Sequence, residues 1–111
     1  MASKQSTVDY LLEQIGNAGS VGARKMFGEY ALYCDEQVIA LVCDDKLYIK
    51  PTTAGKKFIK NIVEAPPYPG AKNYLLISED RWEDRKWLTE LVATTASELP
   101  LPKPKKIRRR G

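Results

Sequence analysis

Met26-Phe27-Gly28-Glu29-Tyr30-Ala31-Leu32-Tyr33 is the stretch whose reading decides the fold. It is aromatic-rich and extended in character, and it predicts a β-strand. Cys34-Asp35-Glu36-Gln37 after it reads as a turn. Val38-Ile39-Ala40-Leu41-Val42-Cys43 is apolar at every position, so it predicts a central strand covered on both faces. Asp44-Asp45 makes the next tight turn. Lys46 to Lys50 then alternates, with Leu47 and Ile49 inward and Tyr48 outward, until Pro51 ends the run. Three consecutive strands joined by short turns predict an antiparallel meander.

Helical patterns flank the meander. Ser6-Thr7-Val8-Asp9 supplies a capping hydroxyl and an early acid. Val8, Leu11, Leu12 and Ile15 follow as one apolar stripe, and Gly16-Asn17 stop it. Residues 17–22 read as a loop. Thr52-Thr53 cap a second helix reaching about Asn61, with Phe58, Ile59 and Ile62 on its inner side. Pro69-Gly70 fits a type II turn, with room for a short edge strand before it. Tyr74 to Ile77 is a strand. Ser78-Glu79-Asp80 opens the last helix, which carries Trp87, Leu88, Leu91, Val92 and Thr95 on one face until Pro100. The predicted fold is α+β in two layers, an antiparallel sheet with helices packed on it in the order α-β-β-β-α-(β)-β-α.

Composition narrows the function. The 111 residues hold one core and include no histidine, which removes the commonest general base and metal ligand. A catalytic triad and a Cys-His zinc site are both excluded, and neither an enzyme nor a cofactor is expected. Cys34 and Cys43 lie outside any CxxC pair and read as reduced packing residues. No apolar run approaches a membrane span and the N-terminus has no secretory h-region, so the expected location is the cytoplasm. Eighteen bases oppose fourteen acids, but six of the bases fall in the last nine residues, leaving twelve against fourteen elsewhere. The domain is therefore read as residues 1–99, and residues 100–111 as a disordered basic Pro/Lys/Arg tail.

The MFGEYALY run, then Ala40-Leu41-Val42, Leu47-Tyr48-Ile49-Lys50, Pro67-Tyr68, the Tyr74 strand and Trp87-Leu88 together resemble the N-terminal domain of the TfoX/Sxy competence regulators. The resemblance covers most of residues 5–97. It departs at Glu29 and Ala31, where the family usually has glycine. It implies a two-layer, secretion-chaperone-like fold and a bacterial, transcription-associated role without catalysis. It also implies a protein partner of the cAMP receptor protein kind. Full-length TfoX proteins continue into a second domain; here the basic tail stands in its place, and the reading is a stand-alone N-terminal-type domain.

Each singled-out residue has a structural reading beside the functional one. Phe27, Tyr30 and Tyr33 are the usual strand and core aromatics, or they form a binding face around Gly28, where a missing side chain admits another backbone. Trp82 folds back on the preceding strand, or stands exposed as a contact hot spot. Gly28, Tyr30 and Trp82 are thus the candidate protein-contact residues. Lys103, Lys105, Lys106, Arg108, Arg109 and Arg110 are candidate nucleic-acid contacts, of the sequence-blind, salt-dependent kind, or a solvated terminus. The acidic pairs Asp44-Asp45, Glu79-Asp80 and Glu83-Asp84 sit at turns and helix starts, where acids serve the backbone. Finally, helices on one side only would leave a face of Val38–Cys43 bare, which predicts a homodimer unless helices cover both faces.

Overall fold

The structure, a computed structural model, describes residues 3–26 and 28–99. The elements run α1 (Gln5–Gln14), β1 (Val21–Met26), β2 (Glu29–Cys34), β3 (Gln37–Cys43), β4 (Lys46–Ile49), α2 (Thr53–Ile59), β5 (Glu64–Ala65), β6 (Tyr74–Ile77) and α3 (Arg85–Glu98). All pairings are antiparallel, in one sheet of order β1-β2-β3-β4-β6-β5. The helices cover one face, giving the expected two-layer α+β architecture. Val8, Leu11 and Ile15 of the first helical segment and Leu88, Leu91 and Val92 of α3 pack on Leu32, Ile39, Val42, Ile49 and Leu75 of the sheet.

The decisive stretch is a hairpin, where a single strand was expected. Met26 ends β1 and pairs with Glu29, the first residue of β2, so the chain reverses between them. Gly28 sits in that reversal at φ +80, a conformation glycine adopts without a Cβ penalty. The residue before it, Phe27, lies outside the described residues. The other two hairpins have the expected two-residue loops. Asp35-Glu36 and Asp44-Asp45 all have positive φ, as the twist-matched hairpin turn requires. Pro69-Gly70 forms the expected type II turn, with Gly70 at φ +87 and the Ala71 N–H donating to the Tyr68 carbonyl at 3.1 Å.

Thr52 caps α2 as expected, its hydroxyl accepting from the Gly55 N–H at 3.0 Å, but three other helix boundaries depart from the expectation for identifiable reasons. The first turn of α1 is not capped by Ser6. Asp45, from the β3–β4 turn, accepts from the Lys4 N–H at 2.8 Å and the Thr7 hydroxyl at 3.0 Å, so the cap comes from the sheet. Helix α2 stops at Ile59 because Lys60 turns left-handed, φ +73, and Ile62 is left 36% exposed. The last helix begins at Arg85, not at Ser78. Residues Glu79–Arg81 form a separate 3₁₀ turn, and Asp84 caps α3 by accepting from the Trp87 N–H at 3.2 Å.

Strand β3 carries a bulge. Leu32 pairs with Ala40 but Tyr33 pairs with Val38, so Ile39 is the extra residue. Both Ile39 and Ala40 then join the helix-side core, while Val38, Leu41 and Cys43 belong to the opposite face.

Candidate functional site

The face of the sheet opposite the helices has its own chemistry. Register aligns Arg24, Ala31, Leu41, Tyr48 and Leu76 as one cross-strand row on that face. Ala31, Leu41, Cys43 and Tyr48 are buried there, with Tyr33, Val38, Ala65, Tyr74 and Leu76 packed around them. Among the described residues, no helical one takes part. Tyr48 is on the outward side as expected, yet it is only 6% exposed because its neighbours on β3 and β6 close over it. The covering of Val38–Cys43 is thus neither a second helical layer nor, within this chain, open sheet. Tyrosines and short aliphatics supply most of it.

At the end of this face near the β1–β2 and β3–β4 turns lies an open groove of about 780 Å³. Leu41, Cys43 and Tyr48 line it from the strands, and Pro66, Pro67, Tyr68 and Pro69 from the β5–β6 connection. Met26 and Tyr68 stand at its margin, 37% and 52% exposed. Glu29 and Asp44 close the end. The volume falls in the range of pockets that hold a small ligand or a few residues of peptide.

Electrostatics leave the groove neutral inside and anionic at its rim. Burial, with Glu29 nearby, pushes the Cys43 thiol up to about 11, so it stays protonated and unreactive. Burial also raises the Tyr48 and Tyr74 phenols. For Glu29, burial opposes ionisation, but hydrogen bonds from the Asp44 N–H and from the Ser3 hydroxyl and N–H outweigh it and hold the carboxyl below its ordinary range. Those bonds, 2.8 Å from the Ser3 N–H and 3.0 Å from the Asp44 N–H, tie the N-terminal segment to both turns. The Asp45 N–H completes the clasp by donating to the Ser3 hydroxyl at 2.9 Å.

The singled-out residues fall in different places. Gly28 is exposed at the hairpin, and a Cβ built on it would meet nothing within 4 Å. Tyr30 is 8% exposed in the helix-side core, its hydroxyl donating to Gln5 Oε1 at 3.2 Å, although it also borders the groove. Tyr33 is half-buried on the helix-free face under the Arg24 guanidinium, 5.2 Å from the ring centre. Trp82 is 5% exposed and folds back on the preceding strand, its indole N–H donating to the Ile77 carbonyl at 3.1 Å. It borders a smaller cleft of about 300 Å³ with Trp87, Asn61 and Arg81. The six tail cations, Lys103 to Arg110, lie outside the described residues. The groove itself escaped sequence reasoning, since Pro66–Pro69 and Cys43 meet only through the β4–β6–β5 order.

Cys34 and Cys43 are both free thiols, as expected. Among the described residues, no helix is long and apolar enough to cross a membrane. No group of three or more His, Cys, Asp or Glu among them gathers to hold a metal ion.

A relative in Spirochaeta aurantia, named only as an "Uncharacterized 12.7 kDa protein in trpE 5'region", is 42% identical over 106 residues, covering 96% of this chain and 91% of that protein. The profile of the TfoX N-terminal domain matches residues 13–99, from the end of α1 through α3. With that match running over most of its length, the chain belongs to the TfoX N-terminal domain family.

Proposed function

We propose that this domain is a non-enzymatic regulatory interaction module that works in a transcription setting through protein contacts. The observation that carries the reading is the tyrosine- and proline-lined groove on the helix-free face, with apolar margins at Met26 and Tyr68 and a fixed acidic end at Glu29. Rigid, amphipathic side chains such as tyrosine, once covered by a partner, are the usual makings of a contact hot spot. Membership in the TfoX family supports the competence-related setting, and the partner proposed with it is of the cAMP receptor protein kind.

The test is direct binding of the full chain to the host's purified cAMP receptor protein, with cAMP and promoter DNA, by fluorescence anisotropy. Met26→Glu with Tyr68→Glu places charge on two exposed margins without touching the core. The pair of substitutions should weaken binding at least tenfold, about 1.4 kcal/mol. Wild-type affinity in that variant refutes the groove as the contact surface, and no binding by wild type refutes the partner.

A second reading rests on the six cations in the last nine residues. It makes the chain a nucleic-acid-associating accessory protein that holds DNA through its tail. Its signature is a steep, sequence-independent salt dependence, with log K falling by about 0.9 per phosphate neutralised for each decade of salt. Retention of DNA after removal of residues 101–111 sinks it.

A further inference from the structure

The groove and the C-terminal segment have complementary chemistry, and the place where α3 ends sets their geometry. Helix α3 finishes at Glu98, and the Leu99 carbonyl accepts from Gln37 Nε2 at 3.4 Å, which pins the exit of the chain beside the β2–β3 turn, on the helix side of the sheet where Leu99 packs. From that turn, β3 runs about 20 Å along the helix-free face to Cys43. The sequence beyond Leu99 is Pro100-Leu101-Pro102-Lys103-Pro104-Lys105-Lys106-Ile107. Alternating prolines fix φ and favour an extended polyproline helix, in which Pro100 to Lys106 would reach about 22 Å. The strip along that path is apolar from Val38 to Leu41 and the groove, with the Arg24 guanidinium lying over the Tyr33 ring beside it. At its far end stand Glu29 and Asp44, with Lys46 the base paired opposite Cys43. Grooves lined by tyrosine and proline are the usual receptors for polyproline segments, with acidic rims selecting basic flanks.

We propose that residues 100–107 of this chain dock in cis along the helix-free face, laying Leu101 and the prolines on the apolar strip and bringing Lys105 and Lys106 to Glu29 and Asp44. The occupant is the chain's own segment because it leaves the fold at the turn from which this path runs and carries charge opposite to the groove's acidic end. The strap covers the surface to which the proposed function assigns partner binding, so it rests on that reading and makes the face self-masked. A tail held beside its site has an effective concentration of millimolar order, so a segment that binds as a free peptide with a Kd of about 1 mM would be about half-docked.

The experiment uses the full chain carrying Ile107→Cys with a nitroxide label; Cys34 and Cys43 are 0% and 5% exposed and do not compete for the reagent. Paramagnetic broadening should concentrate on the amides of Leu41, Cys43, Tyr48 and Tyr68, with loss of most of their intensity. It should be weaker at Asp9 and Glu90, which are exposed on the helical layer. Adding Lys103→Glu, Lys105→Glu and Lys106→Glu should abolish the preference for the groove. Uniform broadening, or a preference that survives the lysine reversals, overturns the proposal. Broadening of an isotope-labelled chain by a separate spin-labelled one assigns the groove to a second copy and also overturns it. No partner is present in this measurement, so its failure is distinct from failure of the binding test above.

Discussion

Gly28→Ala separates the two readings of the hairpin glycine. At φ +80 an alanine Cβ approaches its own backbone, which costs about 1–2 kcal/mol in the left-handed region. No external clash adds to this, because the space around the missing Cβ is empty to 4 Å. Lower entropy of the unfolded chain returns part of the cost, leaving a net loss of about 1 kcal/mol. At an unfolding entropy of roughly 2.1 cal/mol/K per residue over 111 residues, that is a fall in Tm of about 4 °C. Gly28→Asn should fall by about half as much, since asparagine tolerates this region. Thermal unfolding followed by circular dichroism reads both. An alanine variant that melts with the wild type, or an asparagine variant as costly as alanine, refutes the conformational reading. Loss of partner binding at unchanged Tm would instead make Gly28 a point of contact.

The N-terminal clasp predicts an acid-sensitive contribution to stability. Glu29 has a folded pKa below its ordinary value, so its contribution is complete above the unfolded pKa of about 4.3 and is lost as pH falls through the folded one. The Tm difference between wild type and Glu29→Gln should therefore shrink below about pH 4.3, and a difference constant with pH would refute the clasp. Asp45→Asn should speed amide exchange in the first turn of α1, where Asp45 now accepts from Lys4 and Thr7; unchanged exchange would show that the turn does not depend on it. Neither thiol should react with an aromatic disulfide reagent in the folded protein near neutral pH, and rapid modification of Cys43 would contradict its burial. Trp82→Phe strands the buried Ile77 carbonyl and should cost about 1–3 kcal/mol in urea unfolding, whereas a neutral result would mean that carbonyl finds another donor.

What was legible in the sequence was what burial and turn chemistry write into residue type. The α1 and α3 stripes, the Val38–Cys43 strand and the two acidic turns all follow from period or from residues that tolerate positive φ. Strand β1 was not legible as a strand of its own, because an edge strand exposed at four of its six residues carries no apolar alternation. The hairpin hid for the same reason: without a recognisable β1, Gly28 read as a residue within a strand. The start of α3 was misplaced because Ser78 with Glu79-Asp80 has the composition of a cap, whereas the cap in the structure is Asp84, six residues later. The break between them resets the helical phase, which lets Trp82 pack inward although a continuous helix would have turned it away from Leu88 and Leu91.

The bulge at Ile39 joins the stability of the domain to its candidate surface. In an unbroken β3, strict alternation would place Val38 with Ala40 and Val42 under the helices, and Ile39 with Leu41 outside. The extra residue reverses the strand's two ends relative to each other. Ile39 moves beneath the helices, where it is fully buried, and Val38 moves to the outer face beside Tyr33. A branched aliphatic side chain thus fills the helical core at the cost of one ladder register. The outer strip receives a smaller apolar residue at the end nearest Leu99. The six apolar residues that first marked β3 as a central strand are therefore divided by the bulge between a packed core and a half-covered face. Tyr48, Cys43 and the Pro66–Pro69 turn extend that face into the groove.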